Sequence, residues 1–177
     1  MAARMFLMCG HPGSGKSTYA KEFAKQNGLR YMSIDDTYEY FNGNFYDHSN
    51  KFEIWMIFYQ AIHYAELSNT DIVVDTNAPT YIDRAEFLNW FPSFEHHLIW
   101  IDADEFLCEA NNQNRARVIS LEQMLAMFKL FESPISDPDT HHRAKWQSIS
   151  KVVNENNHFK PRITIQGMFP GDIHNGI

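Results

Sequence analysis

Gly10-His11-Pro12-Gly13-Ser14-Gly15-Lys16-Ser17-Thr18 is the stretch whose residue types and spacing bear most directly on chemistry. It fits the pattern G-x-x-x-x-G-K-[ST], a loop that cradles phosphate with backbone N–H groups. Glycines let the chain curl round the anion with no Cβ in the way. Lys16 is placed to reach β- and γ-phosphates, and the Ser17 hydroxyl to ligate Mg²⁺. A second group is Asp35-Asp36, which follows an apolar run at 30–34. A carboxylate just past the end of a parallel strand lies on the edge where α/β sheets bind ligands. Asp35 is therefore a candidate general base, taking the proton of an attacking hydroxyl and holding that oxygen in line. Asp36 is a candidate acceptor contact; the structural alternative is that Asp36 or Thr37 caps a helix. A third group, Asp75-Thr76-Asn77, ends the apolar run at 71–74. Asp75 suits Mg²⁺, held through water, or a substrate hydroxyl, and Thr76 and Asn77 suit an acceptor, with an Asx turn as the alternative. The fourth group is Arg115 and Arg117, in a polar stretch at 111–118. Arginines there are candidates to neutralise charge on a phosphoryl group in transfer, against the alternative of a solvated turn.

The elements that must hold these groups are an alternation of short apolar runs and helical patterns. Residues 5–9 read as a buried strand, and 18–26 as a helix whose positive N-terminal end faces the phosphate, closed by Asn27-Gly28. Residues 30–34 and 71–75 read as further strands, the latter β-branched as a buried parallel strand should be. Residues 38–50 read as a loop with a turn at Asn42-Gly43-Asn44. The spacing of Phe52, Trp55, Met56, Tyr59, Ile62 and His63 predicts a helix over 51–67. Pro79-Thr80 opens a helix to about Trp90 that carries Arg84, and Phe91-Pro92-Ser93 breaks it. Residues 97–102 form a fourth strand, and Asp104 caps a short helix. His96-His97 reads as no metal pair, because neighbours on a strand face opposite ways. Ser120-Leu121-Glu122-Gln123 is a capping box for a helix to about Glu132. Ser133-Pro134 ends it, and a loop with Asp137-Pro138 follows. Residues 141–157 suit strand or helix, 162–166 alternate as a strand, and the tail from Gly167 has no reading. The fold class is thus α/β, a three-layer phosphate-loop fold with a mostly parallel central sheet between helices and a helical lid at about 111–120. Residues 1–177 form one domain, with 135–177 its least defined part.

Tyr38 to Tyr64 holds ten aromatics. A stripe at helical spacing is core more often than a stacking wall, so the better candidates for stacking on a nucleobase are the loop aromatics Tyr40, Phe41, Phe45 and Tyr46. His63 reads as packed or surface rather than as a ligand. The formal net charge of −7 argues against broad non-specific nucleic-acid binding. It is uneven: residues 1–112 carry 7 Lys/Arg against 16 Asp/Glu, and 113–177 carry 8 against 6. No apolar run approaches a membrane span, and the first strand begins too early to leave room for a signal peptide. Cys9 and Cys108 form no metal or redox motif, which suits a reduced, cytoplasmic setting.

The set LMCGHPGSGKSTYAKEF, SIDD, VVDTN and NRARVISLEQMLAMFKLFESP resembles the kinase half of the bacteriophage polynucleotide kinases and their P-loop relatives. These relatives include zeta-toxin-like kinases and the phage kinases of hydroxymethylated bases. The resemblance covers most of residues 4–134. It implies ATP and Mg²⁺ on Lys16 and Ser17, Asp35 as base on the acceptor hydroxyl, Asp75, Thr76 and Asn77 near the acceptor, and Arg115 on the donor phosphates. One departure matters. The family carries an arginine shortly after the Asp-Asp pair for the acceptor's 3′-phosphate, and here Thr37-Tyr38-Glu39-Tyr40 follows instead. Arg84, or a base beyond residue 140, is the candidate to substitute. No D-x-D-G-T-like motif is present, so 3′-phosphatase activity is not expected.

The expectation is an ATP-dependent phosphotransferase, with the 5′-hydroxyl of a nucleic acid as the leading acceptor. The first alternative is a kinase of a modified base in DNA, a nucleoside or a small metabolite. The second is a nucleotide-binding regulatory module without transfer activity. Nothing in the sequence points to a protein partner or a membrane.

Overall fold

The structure, a computed structural model, describes residues 2–44, 47–115, 117–136 and 145–166. Phe45 and Tyr46, the loop at Asp137-Pro138 and the tail from Gly167 lie outside the described residues.

Apolar strands buried on both faces must lie between helices, and the chain does this with a six-stranded sheet in the order β2-β3-β1-β4-β5-β6. The strands are β1 (Arg4–Cys9), β2 (Arg30–Ser33), β3 (Ile72–Asp75), β4 (Glu95–Asp102), β5 (Ser148–Glu155) and β6 (His158–Gln166). All neighbouring pairs are parallel except β5 and β6. The helices are α1 (Lys16–Asn27), α2 (Ile34–Asn42), α3 (Lys51–Leu67), α4 (Tyr81–Trp90), α5 (Glu105–Gln113) and α6 (Leu121–Leu130), with a 3₁₀ turn at Pro134–Ser136.

Side chains that alternate along the strands fill two separate layers. Met5, Leu7, Ile72, Val74 and Leu98 pack with Ile54, Phe58 and Ile62 of α3 and Phe87 and Leu88 of α4. Met8, Val73, Ile99 and Ile101 pack on the other face with Ala20 and Ala24 of α1. A small third cluster, Ala103, Cys108 and Met124, seats α5 and α6 beside the end of β4. His96 and His97 divide between the two faces. His97 stacks on Phe6 at 4.7 Å and bonds to Ser148, whereas His96 meets Phe94 and Trp146.

Two expectations are corrected. Residues 38–42 are helical, because α2 starts directly from the end of β2. Its N-cap is Ser33, whose hydroxyl accepts from the Asp36 N–H, and neither Asp36 nor Thr37 caps it. The short helix after Asp104 runs to Gln113 and takes up the first residues of the expected lid. The ambiguous stretch resolves as β5, joined to β6 by a tight hairpin. Its turn residues, Asn156 and Asn157, both have positive φ, 53° and 64°, as a two-residue turn in a twisted hairpin requires.

Candidate active site

The parallel order brings the carboxyl ends of β1, β2 and β3 to one edge. Ser33 is in register with Asp75, so Asp35, two residues on, stands beside the end of β3. The phosphate loop leaves β1 at the same edge. Its glycines are demanded by their surroundings. Gly13 has φ +79°, and a Cβ there would lie 2.1 Å from the Cys108 carbonyl oxygen. Gly10, at φ +142°, would meet the Ile101 carbonyl at 2.4 Å. The carbonyls on the outer side of the loop are tied back by side-chain amides. Asn111 Nδ2 donates to the Gly13 oxygen at 2.9 Å, and buried Asn154 Nδ2 to the Ser14 oxygen at 2.8 Å. With those carbonyls held outward, and the Ser14 N–H turned to the His11 carbonyl at 3.1 Å, the remaining loop N–H groups are left to face an anion.

Lys16 curls inside the loop and donates to the His11 carbonyl at 2.9 Å. Burial lowers its pKa, and the Asp75 carboxylate partly opposes this. Asp75 is only 5% exposed. Burial raises its pKa, while a hydrogen bond from Ser17, the Lys16 charge and the Tyr31 hydroxyl, 2.7 Å away, pull it down. A hydroxyl and a carboxylate side by side, beside a buried ammonium, are the hard oxygen donors that a Mg²⁺–triphosphate needs. The residues present therefore fit a nucleotide with its metal. His11 packs between Phe128 and Phe131 at the end of α6, at 4.7 and 4.6 Å, and burial lowers its pKa.

Asp35 pairs with Arg117 through Oδ1 and Nη1. Arg115 donates from Nε to Asn112 Oδ1 at 3.1 Å. Asn112 is buried and brackets the segment: its Oδ1 also accepts from the Ile119 N–H, and its Nδ2 donates to the Ile119 carbonyl. One cavity of about 520 Å³ gathers Pro12, Lys16, Ser17, Asp35, Asp75, Thr76, Asn77, Arg115 and Arg117. Its far end is walled by Tyr38, His48, Lys51 and Trp55. Asn77 reaches Met127 of α6. A recess of about 360 Å³ continues past Lys51 and Trp55 to Tyr59, Asp83, Glu86 and Phe87.

Three of the sequence candidates stand apart from this cavity. Asp36 faces Lys21, 3.8 Å away, and lines a different recess with Tyr40 and Phe41. Arg84 is 3% exposed and donates to the carbonyls of Ala78, Pro79 and Glu132 at 3.1, 2.9 and 2.8 Å. It clamps the start of α4 to the end of α6, so its guanidinium is spent on carbonyls and not offered to an acceptor. Thr18, the last loop residue, opens onto a groove along α1 rather than onto the cavity. Sequence reasoning missed Tyr31, Lys51, Asn111, Asn112 and Asn154. The adjacent pair Asn111-Asn112 just before the arginines was a usable signal, since buried asparagines bind loops back to backbone. For Tyr31, only the register of β2 against β3 reveals the contact.

A parallel sheet with a phosphate loop after β1, acidic ends on β2 and β3 and a basic segment after β4 defines the P-loop kinase class of fold. A family profile described as an AAA domain (AAA_33) matches residues 5–134, and the chain belongs to that family. No curated protein matches its sequence significantly. Among solved structures it is similar to a sugar kinase from Janibacter sp. HTCC2649, at 14% identity and a TM-score of 0.59, over 85% of this chain and 84% of that one. It is also similar to a shikimate kinase from Acinetobacter baumannii, at 16% identity and 0.52, over 88% and 85%. A chain of the Pnkp1/Rnl/Hen1 RNA repair complex matches at 16% identity and 0.58, over 75% of this chain and 47% of that one. At these identities the likeness speaks for the fold.

Proposed function

We propose that the protein is an ATP-dependent phosphotransferase that moves the γ-phosphoryl group to a hydroxyl of a small acceptor. The observation that carries this is the single cavity that joins Lys16, Ser17 and Asp75 to Asp35, the two arginines and an aromatic-walled far end. The loop at 10–18 binds the donor phosphates, Lys16 neutralises them, and Ser17 and Asp75 hold the metal. Bound Mg²⁺ supplies charge neutralisation on the phosphates. Asp35 accepts the proton of the acceptor hydroxyl and keeps its oxygen in line. Arg115 and Arg117 lie where charge spreads over the transferring group, and the segment that carries them excludes water. The sugar and shikimate kinases that share this fold are consistent with a small acceptor.

A nucleic-acid 5′ end is the second reading. The sequence resemblance favours it, and so does the recess beyond Trp55, whose Tyr59 and Phe87 offer surface to a base. One observation favours the small acceptor over it: Arg84, the candidate for an acceptor phosphate, is committed to carbonyls.

The test is incubation with γ-labelled ATP, Mg²⁺ and a panel of nucleosides, sugars, sugar acids, DNA and RNA. Label on a small acceptor, lost in Lys16→Ala, is the expected outcome. Label on DNA or RNA ends, with affinity falling as salt rises, would instead establish the second reading. Slow hydrolysis that no acceptor alters would point to a regulatory module.

A further inference from the structure

The far end of the cavity holds cationic and donor groups that the transfer chemistry does not use. Lys51 is exposed at the first position of α3, stands where the cavity opens into the recess, and makes no ion pair with a described residue. α3 has 17 residues, and its N-cap Asn50 gives no side-chain cap. Asn50 instead exchanges hydrogen bonds with Asn42, at 2.8 and 2.9 Å. The Lys51 N–H goes to the His48 carbonyl at 3.2 Å and Glu53 stands in the same turn, which leaves the amides of Phe52 and Glu53 as the open donors at the positive end of α3. Tyr38 is the independent observation. It is 3% exposed, lines the same cavity, and its ring meets the His48 ring at 4.5 Å. Its buried hydroxyl has no hydrogen-bond acceptor: Trp55 beside it only donates, and Asp35 and Arg117 act on it through their charges without a hydrogen bond. A buried O–H with no acceptor costs free energy until something supplies one.

From this juxtaposition we infer that the acceptor carries an anionic group, carboxylate or phosphate, away from its reacting hydroxyl, and that Lys51, Tyr38 and the N-terminus of α3 hold it. The inference rests on the kinase reading, and it narrows the acceptor to a hydroxylated anion. Lys51 supplies the charge. Tyr38 donates one hydrogen bond, and the amides of the first turn of α3 supply others. His48 stacks at the edge and fixes the tyrosine ring. Lys51 and Tyr38 line the same cavity as Lys16, Ser17 and Asp35, so an anion held by them fixes the orientation in which the hydroxyl reaches Asp35.

The test separates this site from the donor site by filling the latter. Protein saturated with Mg²⁺ and a non-hydrolysable ATP analogue is titrated calorimetrically at constant ionic strength with inorganic phosphate, sodium gluconate and glucose. At least one anion binds and glucose does not. Lys51→Gln weakens the anion about ten-fold, the loss of one charge-assisted hydrogen bond. Tyr38→Phe keeps the ring and weakens it several-fold. Phosphate binding without gluconate marks a phosphorylated acceptor, and the reverse marks a carboxylate. Absence of anion binding to the loaded protein, equal binding of glucose, or an affinity unmoved in both variants overturns the anion site and leaves the kinase reading standing. Failure of the analogue itself to bind overturns the kinase reading.

Discussion

Asp35 and Arg117 are each other's partners, which assigns them coupled roles. The guanidinium fixes where the Asp35 carboxylate stands, and a general base must stand within hydrogen-bond reach of the proton it takes. When donor phosphates enter the cavity, the same guanidinium has a second anion to bridge. Asp35→Asn should therefore leave nucleotide binding intact and lower the transfer rate about 10²–10⁴-fold, the usual contribution of a positioned base. Single-turnover transfer with labelled ATP, beside a binding titration of the analogue, checks this; full turnover in the variant removes Asp35 from the chemistry. Arg84 predicts the opposite pattern. It is buried, and its donors satisfy three carbonyls from two segments. Arg84→Met leaves those carbonyls unpaired and should cost about 2–4 kcal/mol of stability, read by urea unfolding. Arg84→Lys should not restore it, because an ammonium cannot reproduce the planar fork. A loss of activity at unchanged stability would return Arg84 to the acceptor site.

At the scale of elements, Asn112 does for the arginine-bearing segment what Asn154 does for the phosphate loop. It joins α5 to the start of α6 through three hydrogen bonds, to Arg115 and to both backbone groups of Ile119. Asn112→Ala should cost about 1–3 kcal/mol, the penalty of unpaired buried groups, and should lower the transfer rate as Arg115 loses its seat. Asn112→Asp keeps Oδ1 for Arg115 and the Ile119 N–H and should recover most of the rate. Thermal unfolding and transfer kinetics on both variants separate the two effects. The elements differ in how plainly the sequence announces them. α3 was legible to the residue, because its apolar positions repeat at helical spacing over many turns. α2 was hidden because its cap, Ser33, doubles as the last residue of β2, and Tyr-Glu-Tyr-Phe is a weak helix signal. The β5–β6 hairpin was hidden because Asn-Asn is a weaker turn signal than Asn-Gly, and β5 buries the polar Asn154. Of the residues that line the candidate cavity, Lys16, Ser17, Asp35, Asp75 and both arginines were named from motif and position. Tyr38 and Lys51 were not, because their place on its lining depends on how α2 and α3 pack against the edge of the sheet.

The whole molecule has a titration built into its core. His96, on central strand β4, lies in the large cluster that fastens α3 and α4 to the sheet, between Phe94 and Trp146. Burial pushes its pKa down from 6.5 to about 4, and its Nε2 has no hydrogen-bond partner. In the unfolded chain the same imidazole takes up a proton near its ordinary pKa. As pH falls through 6.5, the unfolded state gains that proton and the folded state refuses it until about pH 4. The unfolded state then binds more protons, so this contribution to stability is present above 6.5, is lost as pH drops through the window, and levels off below 4. From pH 7 to 4.5 the loss amounts to roughly 2 kcal/mol for a shift of this size. Because the group sits in the shared core and not in a loop, it reports on global unfolding rather than local opening. His96→Phe fills the same space between aromatic neighbours and carries no proton. Urea unfolding of both proteins at pH 7 and pH 4.5 isolates the term from all other titrating groups. The variant should lose less stability than the parent by roughly 2 kcal/mol. Equal losses would show that the folded chain accommodates a protonated His96, with a polar partner reaching Nε2.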